Sequence, residues 1–190
     1  MGKLVWLVTL MVCCLEGTEE LDLFERAFTF PEESKTTHVK IMPKSTQTPI
    51  NMVTVCLRFS THLTREYSLF SLALPEQDNS FLLWCEKDGV YSVYVNNQAG
   101  ISGLKGKPNE WNSLCATWET GGGLTQVWLN GKPSNSVSVS PGYSINGIPS
   151  IIVGQDHAFF LNKINRQHCF VFRRLRKTQM ANRKEQITVL

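Results

Sequence analysis

The stretch Val53-Thr54-Val55-Cys56-Leu57-Arg58-Phe59-Ser60 sets Val53, Val55, Leu57 and Phe59 on one side of the chain and Thr54, Cys56, Arg58 and Ser60 on the other. A repeat of two is the side-chain period of a β-strand, whereas a helix needs apolar positions three and four apart. The segment therefore reads as a strand with one buried face. Downstream, Tyr67 to Leu74 is a second extended run of aromatic and branched residues, closed by Pro75, which cannot donate to a ladder. Phe81 to Trp84 and Val90 to Val95 flank Lys87-Asp88-Gly89, where Asp-Gly supplies the backbone conformations of a tight hairpin. Leu124 to Leu129 and Val137 to Val139 form a further hairpin, with Asn130-Gly131 as its turn signal. Gly121 to Gly123 reads as a loop and not as a phosphate cradle, because no helix carrying a Lys follows it. Many short strands separated by turn residues, with no helical period before residue 160, predict an all-β fold of two antiparallel sheets packed as a sandwich.

At 190 residues, with 42% hydrophobic and 18% charged, the chain is long enough to bury one sizeable core. Lys3, the apolar run Leu4 to Cys14 and small residues near Gly17 predict a signal peptide over residues 1–17, hence a secreted protein. That run is too short to span a bilayer, and no later stretch reads as transmembrane. Removal of the leader leaves Cys56, Cys85, Cys115 and Cys169, which allow three full pairings in an oxidising compartment. No Cys-x-x-Cys pair or zinc-finger spacing is present.

The net charge is +3, but residues 161–190 hold eight Lys or Arg against one acid, so the body of the chain is mildly acidic. Nucleic acid is therefore not expected as the main partner. Residues 161–190 break the strand pattern and read as a basic tail, either a frayed helix or disorder, with Phe170, Val171, Phe172 and Leu175 as its apolar cluster.

Cys115-Ala116-Thr117-Trp118-Glu119-Thr120 resembles the pentraxin signature, which runs His, any residue, Cys, any residue, Ser or Thr, Trp, any residue, Ser or Thr; Ser113 stands where the family has its His. Phe28-Thr29-Phe30-Pro31, Tyr67-Ser68-Leu69-Phe70-Ser71, Trp128-Leu129-Asn130-Gly131-Lys132-Pro133, Gly142-Tyr143 and Ile151-Ile152-Val153-Gly154-Gln155 extend the likeness in the family's order. On these residues the chain resembles the short pentraxin family, with a divergent last third. The resemblance implies a jelly-roll sandwich over residues 18–160, incomplete at its C-terminal end. It also implies a homo-oligomer, commonly a pentamer, and a disulfide between Cys56 and Cys115.

The resemblance further implies a calcium-dependent, lectin-like protein of innate immunity and the acute phase. Gln77-Asp78-Asn79-Ser80 reads as a polar loop whose oxygens are the hard ligands calcium prefers. The family places an Asp-Asn pair there and further ligands after its later Gly-Gln, which map here to Asp156 and to the backbone carbonyl of His157. Ala158 replaces a bridging Asp of the family, so one weak Ca2+ site is expected and two are not. Trp84 and Tyr94 fall on the family's ligand pocket, and Ala99 near the acid that would balance a choline.

The implied partners are phosphoethanolamine- or phosphocholine-like groups and anionic polysaccharides, with complement components by family analogy. Strict choline specificity is disfavoured by the bulk of Tyr94 and by Ala99. The competing expectation is an altered or truncated variant that lacks calcium-dependent binding. No pair of acids at alternate strand positions, nucleophile elbow or His-Glu-x-x-His motif occurs, which argues against an enzyme. No Asn-x-Ser/Thr acceptor is present, so no N-linked glycan is expected.

Overall fold

The computed structural model describes residues 27–30, 34, 37–42 and 49–157, and the backbone of 171–173 and 187–189. The expected leader, Cys13, Cys14, Ala158 and Cys169 lie outside the described residues. Strands follow the alternation of the sequence: β1 (Ala27–Thr29), β2 (Val39–Ile41), β3 (Met52–Ser60), β4 (Tyr67–Leu74), β5 (Gln77–Cys85), β6 (Val90–Val95) and β7 (Gln98–Lys105). Then come β8 (Asn112–Glu119), β9 (Leu124–Leu129), β10 (Lys132–Pro133), β11 (Val137–Ser138), β12 (Ser150–Val153), β13 (Val171–Arg173) and β14 (Ile187–Val189).

Two sheets form. One runs β1-β13-β3-β8-β9-β10, with β11 also on β9 and β14 also on β3; the other runs β2-β12-β4-β5-β6-β7. Val53, Val55, Leu57 and Phe59 of β3 face Phe70, Leu72, Phe81, Leu83, Val93 and Val95 of the second sheet in one buried cluster. The apolar side of the opening octapeptide is therefore the inner face of a sandwich, as expected. Among the described residues no helix is long and apolar enough to cross a membrane.

The signature segment serves this architecture residue by residue. Cys115 lies directly opposite Cys56 across β8 and β3 and is bonded to it, with Cα atoms 4.1 Å apart. Ala116 and Trp118 are buried, and the Trp118 indole N–H donates to the Val139 carbonyl at 3.0 Å. Glu119 accepts backbone N–H groups of Gly121 (2.8 Å), Gly122 (2.8 Å) and Leu124 (3.2 Å), and these bonds hold its carboxyl below the usual range. The triple-glycine nest thus binds an anion from its own chain. Gly123 sits at φ +66°, where a Cβ would run into the Val139 carbonyl and the Pro141 backbone. The Thr120 hydroxyl donates to the Tyr143 carbonyl.

Two expectations need correction. The loop expected at Gln77-Asp78-Asn79-Ser80 is the start of β5, because the chain reverses earlier, in a tight turn at Pro75 and Glu76. The tail, expected to be a frayed helix or disordered and without closing strands, contributes β13 and β14. The former pairs antiparallel with both β1 and the Arg58–Ser60 half of β3, and the latter parallel with Val53–Val55. The edge of β3 away from β8 is thereby covered, which removes the open ladder that a missing end would leave.

Candidate functional site

The direct partners of the second sheet form a continuous row, Lys40, Ile152, Ser71, Leu82, Tyr94 and Ala99, across β2, β12, β4, β5, β6 and β7. Residues directly opposite one another share a face. Their neighbours Leu72, Phe81, Val93 and Val95 point into the core, so this row lies on the outer face. The site is built at its β12–β4 end.

Gly154 brings the chain there. It follows β12 at φ +83°, a conformation that favours glycine, and a Cβ would stand 3.0 Å from the Phe30 ring. Its N–H donates to Leu69 O (3.3 Å), and the next residue is pinned on both sides: Ser68 Oγ donates to Gln155 O (2.9 Å), while Gln155 Nε2 donates to Ser34 O (3.0 Å). The following pair, Asp156 and His157, then meets Ser71. Ser71 Oγ lies 2.8 Å from His157 Nδ1, accepts the His157 backbone N–H at 3.3 Å, and donates to Asp156 Oδ1 at 3.4 Å.

A hydroxyl offers one donor and two acceptor positions. With its proton on Asp156 and the backbone N–H on one lone pair, the second lone pair takes a proton from Nδ1. The network therefore assigns the Nδ1–H tautomer to His157. Burial pushes the His157 pKa down to about 4; Asp78 opposes this, and the charges of His38 and Lys40 add to it. The ring is neutral at physiological pH and anchored to Ser71 through Nδ1. Asp156 is 4% exposed.

The other half comes from the register break in β5. Leu72 pairs with Phe81 and Leu74 with Gln77, so Asp78, Asn79 and Ser80 stand in a stretch where four steps of β5 oppose two of β4. Such irregularities re-aim side chains at a sheet rim. Asp78 acts electrostatically on His157, so the two segments distant in sequence lie within electrostatic range of each other. Asn79 Nδ2 donates to Asn97 Oδ1 (3.0 Å), and Asn97 N donates to Asn79 O (3.3 Å). Asn97 stands in the β6–β7 turn, where Asn96 (φ 49°) and Asn97 (φ 62°) both adopt the left-handed conformation of a two-residue hairpin.

Asn79 Oδ1 is buried and accepts no hydrogen bond. A desolvated amide oxygen without a donor is costly unless something positive faces it. This orphan oxygen, the Asp78 and Asp156 carboxylates and the His157 carbonyl are all hard oxygen donors of the kind calcium takes. Among the described residues no three His, Cys, Asp or Glu side chains are grouped to hold a metal.

Trp84 and Tyr94 also lie on the outer face, since Trp84 is two residues from Leu82, the direct partner of Tyr94. Tyr94 OH donates to Glu86 Oε1 at 2.9 Å, and Tyr94 is directly opposite Ala99. Burial and the adjacent Glu86 push its phenol up to about 12. Sequence reasoning did not identify Ser71, Asn97 or Glu86 as parts of this face. A serine on the outward side of the apolar run Leu69 to Leu72 was the available signal for Ser71.

The profile of the Pentaxin family matches residues 26–182. The chain is 34% identical to serum amyloid P-component of Cavia porcellus over 171 residues, covering 90% of this chain and 76% of the relative. It is 35% identical to C-reactive protein of Sus scrofa over 171 residues, covering 90% and 76%. Among solved structures, the native heptameric SAP-like pentraxin of Limulus polyphemus superposes with a TM-score of 0.59 at 21% identity, over 76% of this chain and 72% of that one. A two-sheet β-sandwich, the Cys56–Cys115 bridge, a signature whose residues close the core, and these matches make the conclusion plain: the chain belongs to the pentaxin family, the pentraxins.

Proposed function

We propose that this protein is a secreted recognition protein of innate immunity that binds anionic or phosphorylated ligands in a calcium-dependent way at the rim formed by Asp78, Asn79, Asp156 and His157. The observation that carries this reading is the buried, unpaired Asn79 Oδ1 beside Asp78, on a face where Ser71 has gathered Asp156 and His157 from the other end of the sheet. Asp78, Asn79 Oδ1, Asp156 and the carbonyl of His157 would hold the ion. Calcium, when bound, supplies positive charge and open coordination positions for an oxyanion. The chain's own residues orient that arrangement: Ser71 positions Asp156, Asn97 positions Asn79, and Gly154 directs the later segment across β4. Trp84 and Tyr94 would form the ligand-side wall on the same face.

The relatives' names place one in serum, which supports an extracellular role, and the Limulus neighbour is a heptamer, which supports assembly of copies. Complement components would be partners of such an assembly. The reading is of a binding protein, not an enzyme.

The test is retention on immobilised phosphoethanolamine with calcium and elution by a chelator, alongside calorimetric titration with calcium alone. Asp78→Ala should abolish both while leaving the far-ultraviolet spectrum unchanged. Retention that survives the chelator would refute the reading. A second reading, a pentraxin scaffold without calcium-dependent binding, is favoured by the lack of a cluster of three metal-binding side chains among the described residues. It is the reading left standing if calcium produces no heat.

A further inference from the structure

The outer face carries a positive group that neither the calcium reading nor the aromatic wall uses. Lys40 sits on β2, the edge strand of the second sheet, directly opposite Ile152, which is in turn directly opposite Ser71. It therefore stands two strands, about 10 Å, from the Ser71 backbone on the same face as Asp156 and His157. Its side chain is exposed, and it makes no ion pair among the described residues.

Other cations of the sandwich are engaged or elsewhere. Lys105 pairs with Asp88 and Lys107 with Glu110, while Arg58 belongs to the opposite sheet and stacks over Trp111 at 5.2 Å. His38 lies just before β2, half-buried, two residues ahead of Lys40.

We propose that Lys40 is a direct contact for the anionic group bound at this rim, and that it selects a doubly charged phosphomonoester over a singly charged carboxylate. This rests on the calcium-dependent reading above and adds a grip from the protein itself. A lysine ammonium is a compact point charge on a flexible stem, suited to a tetrahedral oxyanion and indifferent to planar bidentate geometry. On β2, the last strand of its sheet, the exposed stem leaves the ammonium accessible to a ligand. The second charge of a phosphomonoester gives Lys40 a partner once calcium has taken the first, whereas a carboxylate's single charge is spent on the ion.

The experiment compares wild type, Lys40→Gln and Lys40→Arg by calorimetry in calcium, with phosphoethanolamine and its carboxylate counterpart β-alanine as probes, at low and high salt. Expected for Lys40→Gln is an about fivefold weaker affinity for phosphoethanolamine, the range of an exposed ion pair. A smaller change is expected for β-alanine, together with a flatter salt dependence, recovery in Lys40→Arg and an unchanged titration by calcium alone. Equal phosphoethanolamine affinities in wild type and Lys40→Gln overturn the proposal. Wild-type protein that takes up no calcium sinks the parent reading instead. In that case, chelator-insensitive phosphoethanolamine binding that Lys40→Gln loses still upholds the Lys40 contact, and no such binding overturns it too.

Discussion

Ser71→Ala removes one oxygen on which three groups depend. Ser71 is fully buried, and its hydroxyl serves the Asp156 carboxylate, the His157 backbone N–H and the His157 ring at once. Each buried polar group left without a partner costs about 1–3 kcal/mol. The bond to Asp156 is long at 3.4 Å and the His157 segment can relax toward solvent, so a total of about 2–4 kcal/mol is expected, a large part of the 5–15 kcal/mol typical of a domain. With a urea slope of about 1–3 kcal/mol per molar, the unfolding midpoint should fall by about 1–2 M. Ser68→Ala is the matched comparison, since Ser68 makes a single bond, to the Gln155 carbonyl, and should lose only about 1 kcal/mol. Nitrogen NMR of the imidazole gives a second readout: wild type should carry its proton on Nδ1, and Ser71→Ala should lose that preference. A midpoint for Ser71→Ala no lower than that of Ser68→Ala, or a wild-type ring protonated on Nε2, would refute the hydrogen-bond assignment.

Replacing Cys56 and Cys115 together by Ala opens a loop with a sequence separation of 59, and the chain-entropy estimate puts the loss at roughly 4 kcal/mol, read as a lower midpoint in chemical denaturation. Cys85 is 2% exposed, and burial pushes its thiol up to about 11, so in the folded protein the peptide carrying Cys85 should escape labelling by a thiol reagent at pH 8 and should be labelled fully once unfolded. Gly154→Ala forces a side chain to φ +83° against the Phe30 ring, which should cost at least about 1–2 kcal/mol and weaken retention on phosphoethanolamine resin, because Asp156 and His157 shift. His157 has a folded pKa of about 4, below its unfolded value near 6.5, so the unfolded chain takes up the proton first as pH falls. Its contribution is whole above pH 6.5 and is lost toward pH 4. After allowance for partial exposure this amounts to about 1–2 kcal/mol, seen as a difference in urea midpoint between pH 7 and pH 4.5 that His157→Gln diminishes.

Much of the sandwich was legible because its rules are local. Alternation named the inner face of β3, and Asn130-Gly131 and Asp88-Gly89 named their turns from backbone preference alone. The turn at Pro75 and Glu76 was missed because a polar run after a proline looks like a loop whether or not it pairs. Pairing belongs to the neighbouring strands β4 and β6, not to the residues of β5. The tail strands were missed for the same reason: Val171–Arg173 is short and set among arginines, and its strand character comes from lying between β1 and β3.

The site divides along the same line. Residue identity announced oxygen donors at Asp78, Asn79 and Asp156, since a carboxylate or an amide carries its chemistry wherever it is placed. That Ser71 draws Asp156 and His157 together, that Asn79 keeps one oxygen unpaired, and that Lys40 shares their face were decided only in three dimensions. Hydrogen-bond partnership and sheet register depend on strands separated by tens of residues. No single segment of the chain encodes them.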